Sequence, residues 1–217
     1  MMKYFRRFQD LGLSGKQAKM YDKNMREHRM IEVKKEASEI SHYIKEGDTV
    51  LEIAPGPGYL SIELSKLGKY NITGLDISED ILNIAKRNAM EAGVEINFQQ
   101  GNASRMPFND SIFNFIICIL SFKNFKEPIL TLNEMYRVLK PGGIALIKDL
   151  NKNAPAEVMK ELVKNMGLTG INAFLASKIQ SSGAYTKMEF EDFISLSKFK
   201  DYEIKESEIG FSIYLKK

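Results

Sequence analysis

Val50-Leu-Glu-Ile-Ala-Pro-Gly-Pro-Gly-Tyr59 runs from a short apolar stretch into a Gly/Pro turn and out into a helical pattern. Thr49 to Ile53 reads as a buried strand, and Tyr59 to Leu67 places Leu60, Leu64 and Leu67 on one helical face. Open α/β sheets bind ligands at the carboxyl ends of their strands, where strand order reverses. Gly56 and Gly58 carry no side chain, so a ligand can lie against the backbone of such a turn. Glu52 ends the first strand. Asp76 ends the next one, 24 residues further on, where a carboxylate can accept from both hydroxyls of a ribose.

Working outward, strands and helices alternate. Asn71 to Leu75 is a strand, and Ser78 caps a helix with Glu79 and Asp80 in its first turn, where the helix dipole favours acids. That helix runs through Ile81, Ala85 and Ala89 and stops at Gly93. Val94 to Phe98 is a strand, and Phe113 to Leu120 is an unbroken apolar one, buried on both faces. Pro128 opens a helix through Leu132 and Met135 that Pro141-Gly142-Gly143 closes, and Gly143 to Leu150 is a fifth strand. Upstream, Met30, Val33, Ala37, Ile40 and Ile44 make one stripe of a helix over residues 26–45. The βαβαβ order implies a parallel sheet with helices on both faces. Past residue 150 the rhythm breaks. Helical stretches at 155–166 and 171–180 are joined by Gly167 and Gly170, a third helix starts at Thr186 with Glu189 completing a capping box, and Tyr202–Glu208 and Phe211–Lys216 form an antiparallel hairpin.

Composition narrows the function classes. Of 217 residues, 44% are apolar and 27% charged, a folding composition with ample core. One cysteine excludes a disulfide framework within the chain, and two histidines leave little for a metal site, so none is expected. The net charge of +3 is too small for a dedicated nucleic-acid binder, although residues 1–45 hold eleven Lys/Arg against six Asp/Glu. The longest apolar run, Phe115 to Leu120, falls far short of the ~20 residues that span a bilayer. With no h-region at the N-terminus, a cytoplasmic protein is expected.

The glycine turn admits two nucleotide-like ligands. Counted from Gly56, a dinucleotide fingerprint needs its third glycine where Ser61 stands. Glu52 would also repel a pyrophosphate and welcome an ammonium. A ligand with a ribose, an amino group and no phosphate is preferred, and S-adenosylmethionine answers that description.

In five segments the chain resembles class I S-adenosylmethionine-dependent methyltransferases of the small single-domain kind. Val50 to Gly58 resembles the family's first motif, Gly74 to Ser78 its second-strand acid and Gly101 to Phe108 its adenine-flanking loop. Phe113 to Leu120 resembles its fourth strand, and Glu134 to Gly143 the segment before strand five. The resemblance implies a Rossmann-like, seven-stranded, mostly parallel α/β sheet with an antiparallel C-terminal strand. One domain is expected, and the patterning divides it into an N-terminal helical cap (1–45), a cofactor-binding core (46–150), a helical lid (151–185), and a final helix and hairpin (186–217). The resemblance also implies that Glu52 and the backbone of Ala54, Pro55, Gly56 and Gly58 hold the methionine moiety. Asp76 would take the ribose, Ile77 pack on the adenine, Asn102 and Ala103 meet the adenine edge, and Ile119 contact the amino-acid end. Tyr21 resembles a tyrosine that closes over the cofactor in many relatives.

The chain also departs from the family pattern. Ala54 replaces a glycine, tolerable if Pro55 confines it to extended backbone. Asn102 and Asn114 replace acids, and Lys123-Asn124 stand where many relatives carry histidines. Tyr21, Lys123 and Tyr185 are the catalytic candidates, while Cys118 is expected to be an inert core thiol. In-line methyl transfer depends mainly on alignment. The absence of an obvious base suits a thiol, an amine or an already acidic oxygen. A small-molecule acceptor is expected; the alternatives are an RNA or protein methyltransferase, and a cofactor-binding protein without transfer activity.

Overall fold

Five parallel strands are laid down from the middle outward, and a C-terminal hairpin completes the sheet. The computed structural model describes residues 12–165 and 183–217. The strands are β1 (Thr49–Ile53), β2 (Asn71–Asp76), β3 (Asn97–Gln100), β4 (Phe113–Ile119), β5 (Leu139–Leu150), β6 (Asp201–Glu206) and β7 (Gly210–Lys216). Their spatial order is β3-β2-β1-β4-β5-β7-β6, with β7 antiparallel to both neighbours. The order reverses between β1 and β4, so the carboxyl ends of these two strands flank the crevice the fold offers to a ligand.

Seven described α-helices pack around the sheet: α1 (Gly15–His28), α2 (Met30–Ser41), α3 (Tyr59–Leu67), α4 (Glu79–Glu91), α5 (Pro128–Val138), α6 (Ala156–Asn165) and α7 (Lys187–Ser195). Period-two alternation sends Val50, Phe115, Ile117 and Leu146 toward α2, α3 and α4. Leu51, Ile53, Ile116 and Ile147 face α5 and α7. Cys118 lies in that second layer, fully buried, and burial raises its thiol pKa well above the usual range. It is a core residue, as expected. Ser78 caps α4 and the Thr186–Glu189 capping box opens α7.

Three boundaries differ from the expectation. The helix over 26–45 is two helices that meet at Arg29, because α1 turns Ala18 and Asp22 inward while α2 buries Val33, Ala37 and Ile40. The third strand starts at Asn97, not Val94, because the Val94 N–H donates to Ala89 O (3.1 Å) and finishes α4. β5 begins at Leu139, and Pro141-Gly142-Gly143 is a bulge within it. Leu139 pairs with Phe113 and Ile144 with Phe115, which loops out the residues between. Gly142 takes φ 77°, and a Cβ on Gly143 would meet Asn114 O at 2.9 Å. The helical stretch at 171–180 lies outside the described residues.

Two motif segments hold each other. Glu134 accepts from the Met106 N–H (2.8 Å) and pairs with Arg137 (2.7 Å), whose guanidinium donates to Phe108 O (2.7 Å) and Met106 O (3.1 Å). Residues of α5 thus pin the loop after β3. Asn114 has a structural role: its Oδ1 accepts from the Thr49 N–H (3.1 Å) and the Lys140 ammonium (2.8 Å), tying β1, β4 and the β5 bulge together.

Candidate active site

The turn after β1 is built on left-handed backbone. Ala54 and Gly56 both have φ 56° and Gly58 has φ 82°. The expectation of an extended Ala54 is therefore corrected: its N–H is drawn to Leu75 O (2.7 Å), and holding that bond puts the residue where glycine is favoured. Gly58 has a packing reason as well, since a Cβ there would sit 3.0 Å from the Phe98 ring.

Two acids flank the turn. Glu52 is 5% exposed, its Oε2 accepts from the Ser61 hydroxyl, and burial raises its pKa to about 7 against that hydrogen bond. Asp76 is also buried, and burial raises its pKa to about 6, opposed by backbone N–H groups of Ser78, Gly56 and Ile77. The Ser78 N–H donates to Asp76 Oδ1 at 2.9 Å. Neither carboxylate has an ion-pair partner among the described residues.

Tyr21 covers the turn: a Cβ on Gly56 would lie 3.2 Å from its ring. The residue is 40% exposed on its outer side, yet burial of its hydroxyl raises the phenol pKa; Arg29 opposes this, and Asp76 and Glu52 add to it. The adjacent Asp22 fixes α1 in place. It accepts from Tyr59 OH (2.8 Å), Asn88 Nδ2 (3.0 Å) and Arg87 Nη2 (3.3 Å), while Asn88 also donates to Pro57 O (3.0 Å). A charged residue one turn beyond Ala18 on the buried side of α1 was the available signal, and the sequence reading passed over it.

Past the carboxyl ends of β2 and β3, Ile77 is half-buried and Ala103 buried. The preceding chain folds over them: a Cβ on Gly12 would meet Ile77 Cγ2 at 3.0 Å, and the Ser78 hydroxyl donates to Leu13 O. Asn102 Oδ1 accepts from both the Ser104 N–H (2.8 Å) and its hydroxyl (2.9 Å), so its carbonyl is spent within its own turn.

Beyond Ile119, which is half-buried at the end of β4, Leu120 takes φ 55°, an unusual conformation for a large residue, with its N–H on Lys148 O (2.7 Å). Lys123 is buried with its ammonium 3.6 Å from Asp149. Asp149, which the sequence reading did not single out, also accepts from the Lys123 N–H (2.9 Å) and the Leu150 N–H (2.8 Å). The Tyr185 ring packs edge-on against Phe193 (4.9 Å) and Phe190 (5.5 Å). The structure thus gathers Tyr21, Glu52, Gly56 and Asp76 at one end of the crevice, and Lys123 and Tyr185 beyond β4. No cluster of metal-ligating side chains occurs among the described residues.

A family model described as a methyltransferase domain matches residues 44–205. The chain belongs to the methyltransferase domain family. It is 29% identical to the ubiquinone/menaquinone biosynthesis C-methyltransferase of Bdellovibrio bacteriovorus over 67% of this chain and 73% of that protein. It is 33% identical to the ubiquinone biosynthesis O-methyltransferase of Colwellia psychrerythraea over 48% of this chain and 42% of that one. A Methanococcus maripaludis protein described as an S-adenosylmethionine-dependent methyltransferase superposes with a TM-score of 0.77 at 24% identity, covering 97% of this chain and 94% of that one. That last likeness establishes the fold. This chain is an S-adenosylmethionine-dependent methyltransferase. Its residues suit that cofactor: two buried carboxylates without cations answer an ammonium and a ribose diol, and the same charges disfavour a pyrophosphate.

Proposed function

We propose that this methyltransferase transfers a methyl group to a small molecule carrying an acidic hydroxyl, on that oxygen or on a ring carbon that the ionised oxygen activates. Support comes from the relatives named for quinone biosynthesis, one a C- and one an O-methyltransferase. It comes also from the far side of the crevice, where the half-buried Tyr185 offers an aromatic face backed by Phe122, Phe190 and Phe193. The observation that carries the cofactor assignment is the pair Glu52 and Asp76, buried and without cations on either side of a turn that Tyr21 covers.

S-adenosylmethionine, when bound, supplies a methyl on a sulfonium that leaves as a neutral thioether. Glu52 takes the ammonium, Asp76 takes the ribose hydroxyls, and Tyr21 with α1 excludes water from the turn. Ile77, Ala103 and Asn102 line the adenine side. Because Oδ1 of Asn102 is engaged by Ser104, the group it offers is the Nδ2 donor. Of the expected lid at 151–185, residues 166–182 lie outside the described residues, and α1 is the cover on which this reading rests. No general base is assigned.

A polymer acceptor is the second reading, and only the basic N-terminal stretch favours it. Of its eleven cations, Lys23, Arg29 and Lys35 pair locally, with Glu27 (3.8 Å), Glu32 (3.8 Å) and Glu39 (4.0 Å). Incubation with methyl-labelled cofactor and separate metabolite, RNA and protein fractions decides between them. Label is expected in metabolites, in products that a hydroquinone- or phenol-selective extraction removes. Label confined to RNA or protein overturns the proposal, and label in no fraction points to a binding protein.

A further inference from the structure

We propose that β6 pairs with β6 of a second copy of this chain, antiparallel about a two-fold axis at Ile204, so that two molecules share one continuous sheet.

The two edges of the sheet differ. β3 is cut to four residues because α4 claims Val94, and so short an edge offers little to a visiting strand. β6 keeps six residues, Asp201–Glu206, in unbroken register with β7 and with neither a proline nor a bulge. All but the half-buried Ile204 are exposed. In an antiparallel ladder, alternate residues turn their N–H and C=O to opposite sides. The Ser207 N–H donates to Gly210 O (2.8 Å), one step beyond the pair Glu206 and Phe211. Lys205, Glu203 and Asp201 therefore turn their backbone groups to β7. Tyr202, Ile204 and Glu206 turn theirs outward, and no hydrogen bond among the described residues closes on them.

The side chains select one register. A two-fold axis perpendicular to the sheet keeps facing residues on the same side, so it passes where a residue meets its own copy. An axis at Asp201, Glu203, Lys205 or Glu206 sets that residue against its own charge, and an axis at Tyr202 sets Asp201 against Glu203. Like charges directly opposite destabilise a sheet. Within β6 the axis at Ile204 alone avoids them. It puts Ile204 against Ile204, Tyr202 against Glu206, and Glu203 against Lys205 twice over. The same register joins the outward N–H and C=O groups of Tyr202, Ile204 and Glu206 in one ladder. Charges on an edge ordinarily keep strands apart. Those of β6 exclude every register but one. A six-residue edge buries less surface than a permanent dimer does, so the pairing is reversible.

Sedimentation equilibrium of the full chain, in a series reaching ~0.5 mM, compares wild type with four variants, thermal melts confirming that each folds. Wild type is expected to dimerise reversibly. Lys205→Glu and Glu203→Lys each create two like-charge pairs and should weaken the dimer on the order of tenfold. The double variant restores opposite charges in the same register and should return the affinity to within about threefold of wild type. Tyr202→Pro removes an outward N–H without touching the β7 ladder and should leave the chain monomeric. A wild-type chain that stays monomeric throughout the series overturns the inference. Unchanged dimer affinity in Lys205→Glu or Tyr202→Pro overturns it too, because the contact then lies elsewhere. A dimer that the double variant fails to restore overturns the register on which the inference stands.

Discussion

The two ends of the crevice each bury acids, and they treat them differently. On the β1–β2 side, Glu52 and Asp76 have only hydroxyl and backbone N–H donors, and burial lifts their pKa values to about 7 and about 6. On the β5 side, Asp149 is as deeply buried but is met by two backbone N–H groups and the Lys123 ammonium. A satisfied buried acid is scaffold; one left short of a cation marks the place of a ligand that brings it. Substitutions at the two ends should therefore differ in kind.

The largest effect is expected from Asp149→Ala. It strips the carboxylate from two N–H groups and an ammonium where β4 and β5 end, and should cost about 3–5 kcal/mol in urea unfolding. A loss below about 1 kcal/mol would erase the contrast between the ends.

Asp76→Ala and Glu52→Gln should behave in the opposite sense. Hydrogen bonds to an ionised group are worth roughly 1.5–3 kcal/mol, so each variant should bind S-adenosylhomocysteine on the order of ten- to a hundredfold more weakly, with the fold intact. Glu52→Gln should also change how the free protein responds to pH. The folded pKa of Glu52, about 7, lies above the ordinary 4.5, so its proton is held more tightly in the folded state. The stability it contributes is full below the unfolded value and lost as pH rises through about 7. Asp76 adds a similar loss through about 6. The melting temperature of the free protein should thus decline from pH 5 to pH 8, and less steeply in Glu52→Gln. Identical slopes would mean that Glu52 finds a cation within the protein.

Asn102→Asp sharpens the comparison on the adenine side. If Nδ2 is the group offered to the ligand, the aspartate keeps its bonds to Ser104 but loses the donor, and S-adenosylhomocysteine binding should weaken by about tenfold or less. Tighter binding would return the role to the side-chain oxygen. The smallest effect belongs to Ala54→Gly. Relief of left-handed backbone is worth about 1–2 kcal/mol, offset by the added freedom of the unfolded chain, so a net gain of about 1 kcal/mol or less is expected in thermal melts. Destabilisation would show that Ala54 is not strained.

The sequence made the cofactor end legible because its signals are local: a strand, a glycine turn and an acid at each strand end. β1 and α3 have the bounds read from periodicity, and the Ser78 and Thr186 caps stand where they were placed. What escaped depends on partners far along the chain. Ala54 is left-handed because of a bond to Leu75 O, and β3 starts late because α4 claims Val94. Asp22 matters through Tyr59, Arg87 and Asn88, each more than 30 residues away. No helix among the described residues is long and apolar enough to cross a membrane.

The central claim is that Glu52 and Asp76 wait, partly protonated, for a ligand that brings an ammonium and a ribose. Calorimetric titration of the wild-type chain with S-adenosylhomocysteine, repeated from pH 5.5 to pH 8.5 in buffers of different ionisation heat, tests it most directly. The expected result is binding that strengthens with pH and levels off above about 7, with protons released at the acid end of the range and none at the alkaline end. Binding of constant strength with no proton release, or no binding at all, would contradict it.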